Sequence, residues 1–329
     1  MRDVILRRPS LLSCAMLVPR MLRSSHVVYG KDEIKGDKRP YFVLSEENSA
    51  FGVPQATLCL IRSVKESRAA PGTVILNEDD TSECGLDKPS AVTTTLVLRP
   101  SKELRPPEGH NGDATHVAGH VRRNVATMLG LNDSTLGYPA RGFIKHLPPP
   151  ARRADGLQLY EKLYQLLRSR GWSAPQQGDL LRAPPDHRLF RGKSWLVVST
   201  TDYNRRCLYP EFVVVPLMST VGQVHNAEAY RDAGRNLFGK NDGLSEDYVA
   251  IFEQAHSLSM SWKWFDKCDR CYSQRAPWHL KLTSGRDAGK CVHCDNAPAI
   301  WPKWIANVRS SRTFLEVLIA LRKWLGVHT

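Results

Sequence analysis

The stretch RPYFVLSEENSAF, residues 39–51, has a second copy of its pattern in KSWLVVSTTDYNR, residues 193–205. In each, apolar side chains recur at the two-residue period of a strand and a polar loop follows. ATLCLIRSVKES (56–67) likewise pairs with EFVVVPLMSTVG (211–222), an apolar strand running into a polar turn that carries Ser63 or Ser219. GLDKPSAVTTTLVLRPSKEL (85–104) pairs with GLSEDYVAIFEQAHSLSMSW (243–262), where a Gly-Leu loop leads into a β-rich segment. AGHVRRNVATMLGL (118–131) pairs with RTFLEVLIALRKWLGV (312–327), both amphipathic at helical spacing and both carrying Leu-Gly near the end. The chain reads as an internal duplication.

The offset between the copies is 154 at Arg39 and Lys193, 158 at Gly85 and Gly243, and 196 at Gly130 and Gly326. The last step places 38 extra residues between 262 and 312 of the second copy. There lies CDRCYSQRAPWHLKLTSGRDAGKCVHC (268–294), with Cys268, Cys271, Cys291 and Cys294 in two Cys-x-x-Cys pairs nineteen residues apart. Four thiolates at this spacing suit the tetrahedral shell of Zn2+, and a closed four-sulfur site leaves no open position for water, so the expected cofactor is a structural Zn2+. His293, inside the second pair, is an alternative ligand. Trp262, Trp264, Trp278, Trp301 and Trp304 alternate here with Lys263, Lys267, Arg270, Arg275, Lys281 and Arg286. They read either as a stacking platform for single-stranded nucleic acid or as packing of the ribbon onto its neighbour.

A chain of 329 residues suits two domains of ordinary size. Its 46 Lys plus Arg against 33 Asp plus Glu leave +13 spread along the chain, which favours a polyanionic partner, nucleic acid above all. Of eight cysteines, four have metal-type spacing, and Cys14, Cys59 and Cys207 have apolar or irregular neighbours. That usage fits a reducing compartment, hence a cytoplasmic protein. No apolar run reaches membrane-spanning length, so no membrane partner is expected. The N-terminal MRDVILRRPSLLSCAMLVPRMLRSS imitates a signal sequence, but its apolar run is short, Pro9 interrupts it, and Arg20 and Arg23 follow. Residues 1–23 read as a tail, disordered or mis-started, with Met16 or Met21 as alternative starts. The expected organisation is a first domain over 24–135, a Pro/Gly/Arg-rich linker over 136–156, and a second domain over 157–329 with the insertion at about 263–305. The second domain opens on LQLYEKLYQLLRSR, apolar at helical spacing and ending at Arg170.

GDLLRAPPDHRLFRGKSWLVVSTTDYN (178–204), followed by FVVVPLMST (212–220), resembles the opening of MazF/PemK-type toxins: Gly-Asp and an apolar strand, a loop to Arg-Pro and an apolar strand ending in Ser, then a strand ending in a Pro-Leu-Thr-Ser-like turn. The first copy lacks the Gly-Asp, but KRPYFVLS (38–45) keeps the Arg-Pro, and GLDKPSAVTTTLVL resembles the late Gly-Leu-x-Lys-x-Ser strand. Together the resemblances cover about two thirds of the chain. They imply a mainly β fold with α (α+β): two small SH3-like β-barrels, each with a C-terminal helix, plus the zinc-ribbon-like insertion. They imply an endoribonuclease of a toxin–antitoxin system that cuts single-stranded RNA, with an antitoxin protein as a further partner. Family members are usually homodimers, so two copies in one chain imply a pseudo-dimer that acts as a monomer.

Metal-independent RNA cleavage uses the ribose 2′-hydroxyl as nucleophile, and a guanidinium suits the task of neutralising the phosphorane. The resemblance puts the catalytic Arg at Arg39 and the catalytic hydroxyl at Ser63, with Arg62 beside it. In the second copy Lys193 replaces the Arg, Ser194 the Pro, and Met218 the likeliest Thr, with Ser219 next to it, so that site reads as degenerate. Lys38, Arg62, Arg191 and Arg270 are the expected nucleic-acid contacts. His110, His116 and His120 have no carboxylate partner nearby in sequence and read as surface residues. Two functions stay open: a surviving endoribonuclease, and a non-catalytic nucleic-acid-binding protein with a structural zinc ribbon. A protein-interaction adaptor is a third.

Overall fold

The period-two segments of the first repeat form β1 (Val27–Lys31), β2 (Lys38–Val43) and β3 (Gln55–Ser63). β4 (Val74–Ile75), the short helix α1 (Glu78–Glu83), the long strand β5 (Ser90–Pro100) and helix α2 (Thr115–Leu129) complete it. The second repeat runs through β6 (Asp179–Arg182), β7 (Ser194–Val197), α3 (Thr201–Arg206), β8 (Glu211–Ser219), β9 (Leu237–Phe238), β10 (Tyr248–Ala250) and β11 (His256–Ser259). The insertion contributes β12 (Phe265–Lys267) and β13 (Leu280–Leu282), and β14 (Lys303–Asn307) and α4 (Arg312–Trp324) close the chain. This computed structural model describes residues 22–31, 37–45, 54–64, 72–131, 174–183, 193–206, 211–220, 237–242, 244, 246–259, 265–267, 280–282 and 303–327. The helix expected over LQLYEKLYQLLRSR, the linker over 136–156 and most of the N-terminal tail lie outside them.

All strand pairs are antiparallel, in an order β1-β2-β3-β5-β4 for the first repeat and β14-β6-β7-β8-β10-β9 for the second, with β11 also on β8 and β12 pairing only with β13. The registers agree as well: Tyr29 faces Pro40 as Arg182 faces Ser194, and Ser63 faces Ser90 as Ser219 faces Tyr248. The fold is α+β, mostly sheet. Among the described residues neither sheet closes into a barrel. In the first repeat the segment after β5 reaches β1 only through two isolated bridges, Tyr29 with Arg105 and His26 with Asp113. Pro106 and Pro107 between them have no N–H to extend a ladder. The second repeat places β14 against β6 there.

β3 is apolar on both faces because both are covered. Cys59 and Ile61 join Phe42, Leu44 and the buried face of α2, whereas Leu58 and Leu60 join Tyr41, Val43 and Leu104. Val117, Val121, Val125 and Met128 recur along α2 every three or four residues, so one stripe of the helix enters the core. Each such fully buried side chain contributes on the order of 1.5–3 kcal/mol. α2 ends where Gly130 takes φ +68°, a left-handed cap that a Cβ would strain.

The repeats share one core and dock on each other in corresponding ways. At the end of α2, the Leu129 carbonyl accepts from Gln177 Nε2 at 3.0 Å, and the same nitrogen donates to Val198 O at 2.9 Å. At the end of α4, the Leu325 and Gly326 carbonyls accept from Arg122 Nη1 at 3.1 and 2.6 Å, while Arg122 Nη2 donates to Leu44 O at 3.3 Å and contacts Ser24. Each C-terminal helix is thus held at the far repeat's first hairpin. Burial lowers the Arg122 pKa from its ordinary value, so its positive charge is only partly compensated by these carbonyls. STTDYN, read as a polar loop, forms α3 instead: Tyr203 is buried with its hydroxyl 3.0 Å from Thr94 Oγ1 of the first repeat.

Candidate functional site

Arg39 lies in β2 opposite Gly30, half-buried, on the face that carries Tyr41 and Val43. Ser63 ends β3, exposed, on the face that carries Cys59 and Ile61. Successive side chains of a strand point to opposite faces, so Arg39 shares its face with Arg62 and not with Ser63. Lys38 is exposed and pairs with Glu108 at 3.6 Å. Lys193 is exposed as well. Arg191, Arg270 and the four cysteines of the insertion lie outside the described residues; β12 ends one residue before Cys268.

Ser219 belongs to a cluster at one corner of the second repeat. Its hydroxyl donates to Glu246 Oε2 at 2.7 Å. Glu246 Oε1 accepts from Arg182 Nη2 at 2.9 Å and from the Tyr248 hydroxyl. Arg182 Nε faces Ser194 Oγ at 3.3 Å, and its guanidinium lies 5.8 Å from the centre of the Tyr248 ring, with Nη2 also touching the phenol. The elements impose this meeting. Arg182 ends β6 beside Ser194 of β7, Ser219 ends β8, and Tyr248 opens β10 directly opposite Ser219. Glu246, two residues before Tyr248, reaches back from the loop. The side chains of Arg182 and Glu246 are 42 % and 26 % exposed, so a ligand in solvent can reach both members of the ion pair.

A guanidinium and a carboxylate that solvent reaches, backed by the buried Tyr248, can grip a phosphate, accept a proton and donate one. Ser219 lies in this cluster, whose cation is Arg182. Arg182 stands in GDLLRA, only four residues after Gly178. The Gly-Asp itself has a structural task. Gly178 has φ +87° and a Cβ there would meet the Arg309 backbone at 2.6 Å. The Asp179 carboxylate accepts from Gln176 N at 2.7 Å, Trp304 Nε1 at 3.0 Å and Asn307 Nδ2 at 2.8 Å, tying β14 to β6. Trp304, one of the tryptophans offered as a stacking platform, is anchored by this bond while its side chain stays 56 % exposed.

His116 is exposed, as expected, and meets carboxylates distant in sequence: its Nε2 is 3.0 Å from Asp80 and its Nδ1 3.4 Å from Glu83, both on α1. His110 lines a cleft beside Tyr29, and His120 is exposed. Cys84 and Cys59 are buried free thiols. Burial and the nearby Asp80, Glu83 and Asp113 push the Cys84 thiol up to about 11, and burial raises Cys59 further, so neither offers a thiolate near neutral pH. Among the described residues no group of three or more His, Cys, Asp or Glu is placed to hold a metal, and no helix is long and apolar enough to cross a membrane.

No family model matches the chain, and no curated protein matches it.

Proposed function

We propose that the protein is a MazF/PemK-like endoribonuclease that cuts single-stranded RNA without a metal, its two repeats being tandem SH3-like units and its reacting corner that of Arg182, Glu246, Tyr248 and Ser219. The observation that carries this reading is the convergence of a solvent-reached guanidinium and carboxylate on the buried Tyr248, whose hydroxyl donates to Glu246, in the repeat whose opening resembles the family. The +13 charge adds support, since it draws a polyanion to the surface. In this reading Arg182 turns from Glu246 to the non-bridging phosphate oxygens. Glu246 takes the proton of the ribose 2′-hydroxyl as O2′ attacks phosphorus. The P–O5′ bond breaks, and the 5′ oxygen leaves with the proton of the Tyr248 hydroxyl, which Glu246 restores through their hydrogen bond. The products are a 2′,3′-cyclic phosphate and a 5′-hydroxyl.

The test is incubation of the full chain with mixed single-stranded RNA in EDTA, followed by mapping of the ends. Discrete cuts leaving 2′,3′-cyclic phosphate support the enzyme. Intact RNA that still shifts on a gel overturns it in favour of a non-catalytic nucleic-acid-binding protein. One observation favours that second reading: Arg182 and Glu246 already neutralise each other at 2.9 Å. An antitoxin partner follows only from the family resemblance and would appear as a protein co-purifying with the chain. The four-cysteine insertion is proposed to hold one structural Zn2+. Elemental analysis should find about one zinc per chain, released by a thiol-reactive agent, and a folded, metal-free preparation would refute it.

A further inference from the structure

At the corresponding corner of the first repeat the polar cluster is replaced by a cleft. By register, Tyr29 stands for Arg182, Pro40 for Ser194, Ser90 for Tyr248, and Lys88, two residues before Ser90, for Glu246. The space between the Lys31–Lys38 end of the β1–β2 hairpin, the Gly85–Asp87 turn and residues 103–110 measures about 730 Å3. Small-molecule sites commonly measure about 300–1,000 Å3.

The walls differ in chemistry. Lys31 and Lys38 come from the hairpin and Asp87 from the turn, while the facing segment brings Glu103 and Glu108 together with Arg105. Tyr29, partly buried with its hydroxyl 3.5 Å from Gly85 O, supplies a flat apolar surface between them, and Pro107 another. Burial and the nearby Asp87 raise the Tyr29 pKa, so the phenol stays neutral. Lys38 and Glu108 meet at 3.6 Å and join the hairpin to the facing segment through groups almost wholly in solvent, so a ligand can part them at little cost. Asp87, Glu103 and Glu108 disfavour a bare polyanion, and Lys31, Lys38 and Arg105 disfavour a purely apolar guest. What fits both is a flat ring carrying N–H donors at one end and a phosphate at the other.

We infer that this cleft binds a nucleotide whose base carries an exocyclic amino group, with the base against Tyr29 and Pro107, the amine donating to Asp87 or Glu103, and the phosphate on Lys31 and Lys38. Carboxylates accept in this way from the amino group of cytosine. The inference rests on the proposed RNA function insofar as the nucleotide belongs to a strand; a free mononucleotide offers the same chemistry.

The experiment is equilibrium binding to the full chain carrying Glu246→Gln, so that cleavage does not enter the readout. The probes are CMP, UMP and fluorescent C-rich and U-rich RNA hexamers. Binding of the cytosine probes about tenfold tighter than the uracil probes, lost in Asp87→Asn with Glu103→Gln, supports the site. Tyr29→Ala should weaken binding by a similar factor, and the two carboxamide changes, both at exposed positions, keep the test valid if that variant misfolds. CMP binding alone identifies a free nucleotide as the ligand, and hexamer binding alone identifies a strand. Equal binding of cytosine and uracil probes, or preference unchanged by the carboxamide pair, overturns the inference. Cleavage by the wild-type chain without this preference would remove the cleft site and leave the nuclease standing; preference without cleavage would do the reverse.

Discussion

The two repeats place the same strands in the same register and then put opposite chemistry on one corner. In the second, Arg182, Glu246, Tyr248 and Ser219 fill it with hydrogen bonds; in the first, Tyr29, Lys88, Ser90 and Ser63 occupy the corresponding positions and a cleft opens beside them. Glu246 and Lys88 even reverse the charge at one position. The backbone tolerates the exchange of Glu246 for Lys88 because both stand before the strand, outside the shared core, whereas Tyr248 belongs to that core and Tyr29 packs against it.

The largest effect expected from this contrast concerns catalysis. Glu246→Gln should lower cleavage of single-stranded RNA in EDTA by about 10²–10⁴-fold, the usual contribution of a general base, while Ser63→Ala leaves the rate unchanged. An equal loss in Arg39→Ala and none in Glu246→Gln would move the chemistry to the first repeat. The docking of the helices gives the next contrast. Arg122→Ala removes charge-assisted bonds to the carbonyls that end α4 and should cost about 2–3 kcal/mol in chemical denaturation. Gln177→Ala removes neutral bonds at the end of α2 and should cost about 1 kcal/mol. Equal costs would show that the charge of Arg122 adds nothing to the junction.

The helix starts differ in a way that pH reveals. Ser311 caps α4 by accepting from Phe314 N at 3.1 Å, and Ser311→Ala should cost about 1 kcal/mol at any pH. Asp113 accepts from Thr115 N at 2.9 Å and from its hydroxyl at 2.6 Å, and these bonds hold its carboxyl below the ordinary carboxylate range. A lowered pKa in the folded state stabilises above the unfolded value, and the contribution is lost as pH falls through the folded one. Asp113→Ala should therefore cost about 0.5 kcal/mol at neutral pH, small because the group stands in solvent, and nothing in strong acid. Thermal melts of both variants across pH 2–8 check this; a cost for Asp113→Ala that persists in acid would assign it to packing rather than charge.

Much of the fold was legible along the chain. The period of two in RPYFVLS and KSWLVVS and the three-to-four spacing in AGHVRRNVATMLGL and RTFLEVLIALRKWLGV are local patterns, and the structure places them on corresponding strands and helices. The site was legible only in pieces. Ser219 was singled out, but its partner Glu246 lies 27 residues on, and Arg182 lies 64 residues before Glu246, a separation no local pattern spans. The carboxylates that His116 meets are hidden for the same reason, since they sit on α1. STTDYN is polar by composition, yet Tyr203 is buried because the first repeat supplies Thr94 to its hydroxyl.

By itself the sequence determined the duplication, the order of elements, the place of the insertion and the basic surface, since each follows from residue type and spacing. Only the tertiary structure decided which strands pair among the described residues, that each C-terminal helix is clasped by the other repeat, and that Arg182 meets Glu246. Those outcomes depend on which strand ends and carbonyls are brought within hydrogen-bond distance, and that is a property of the packed chain rather than of any segment of it.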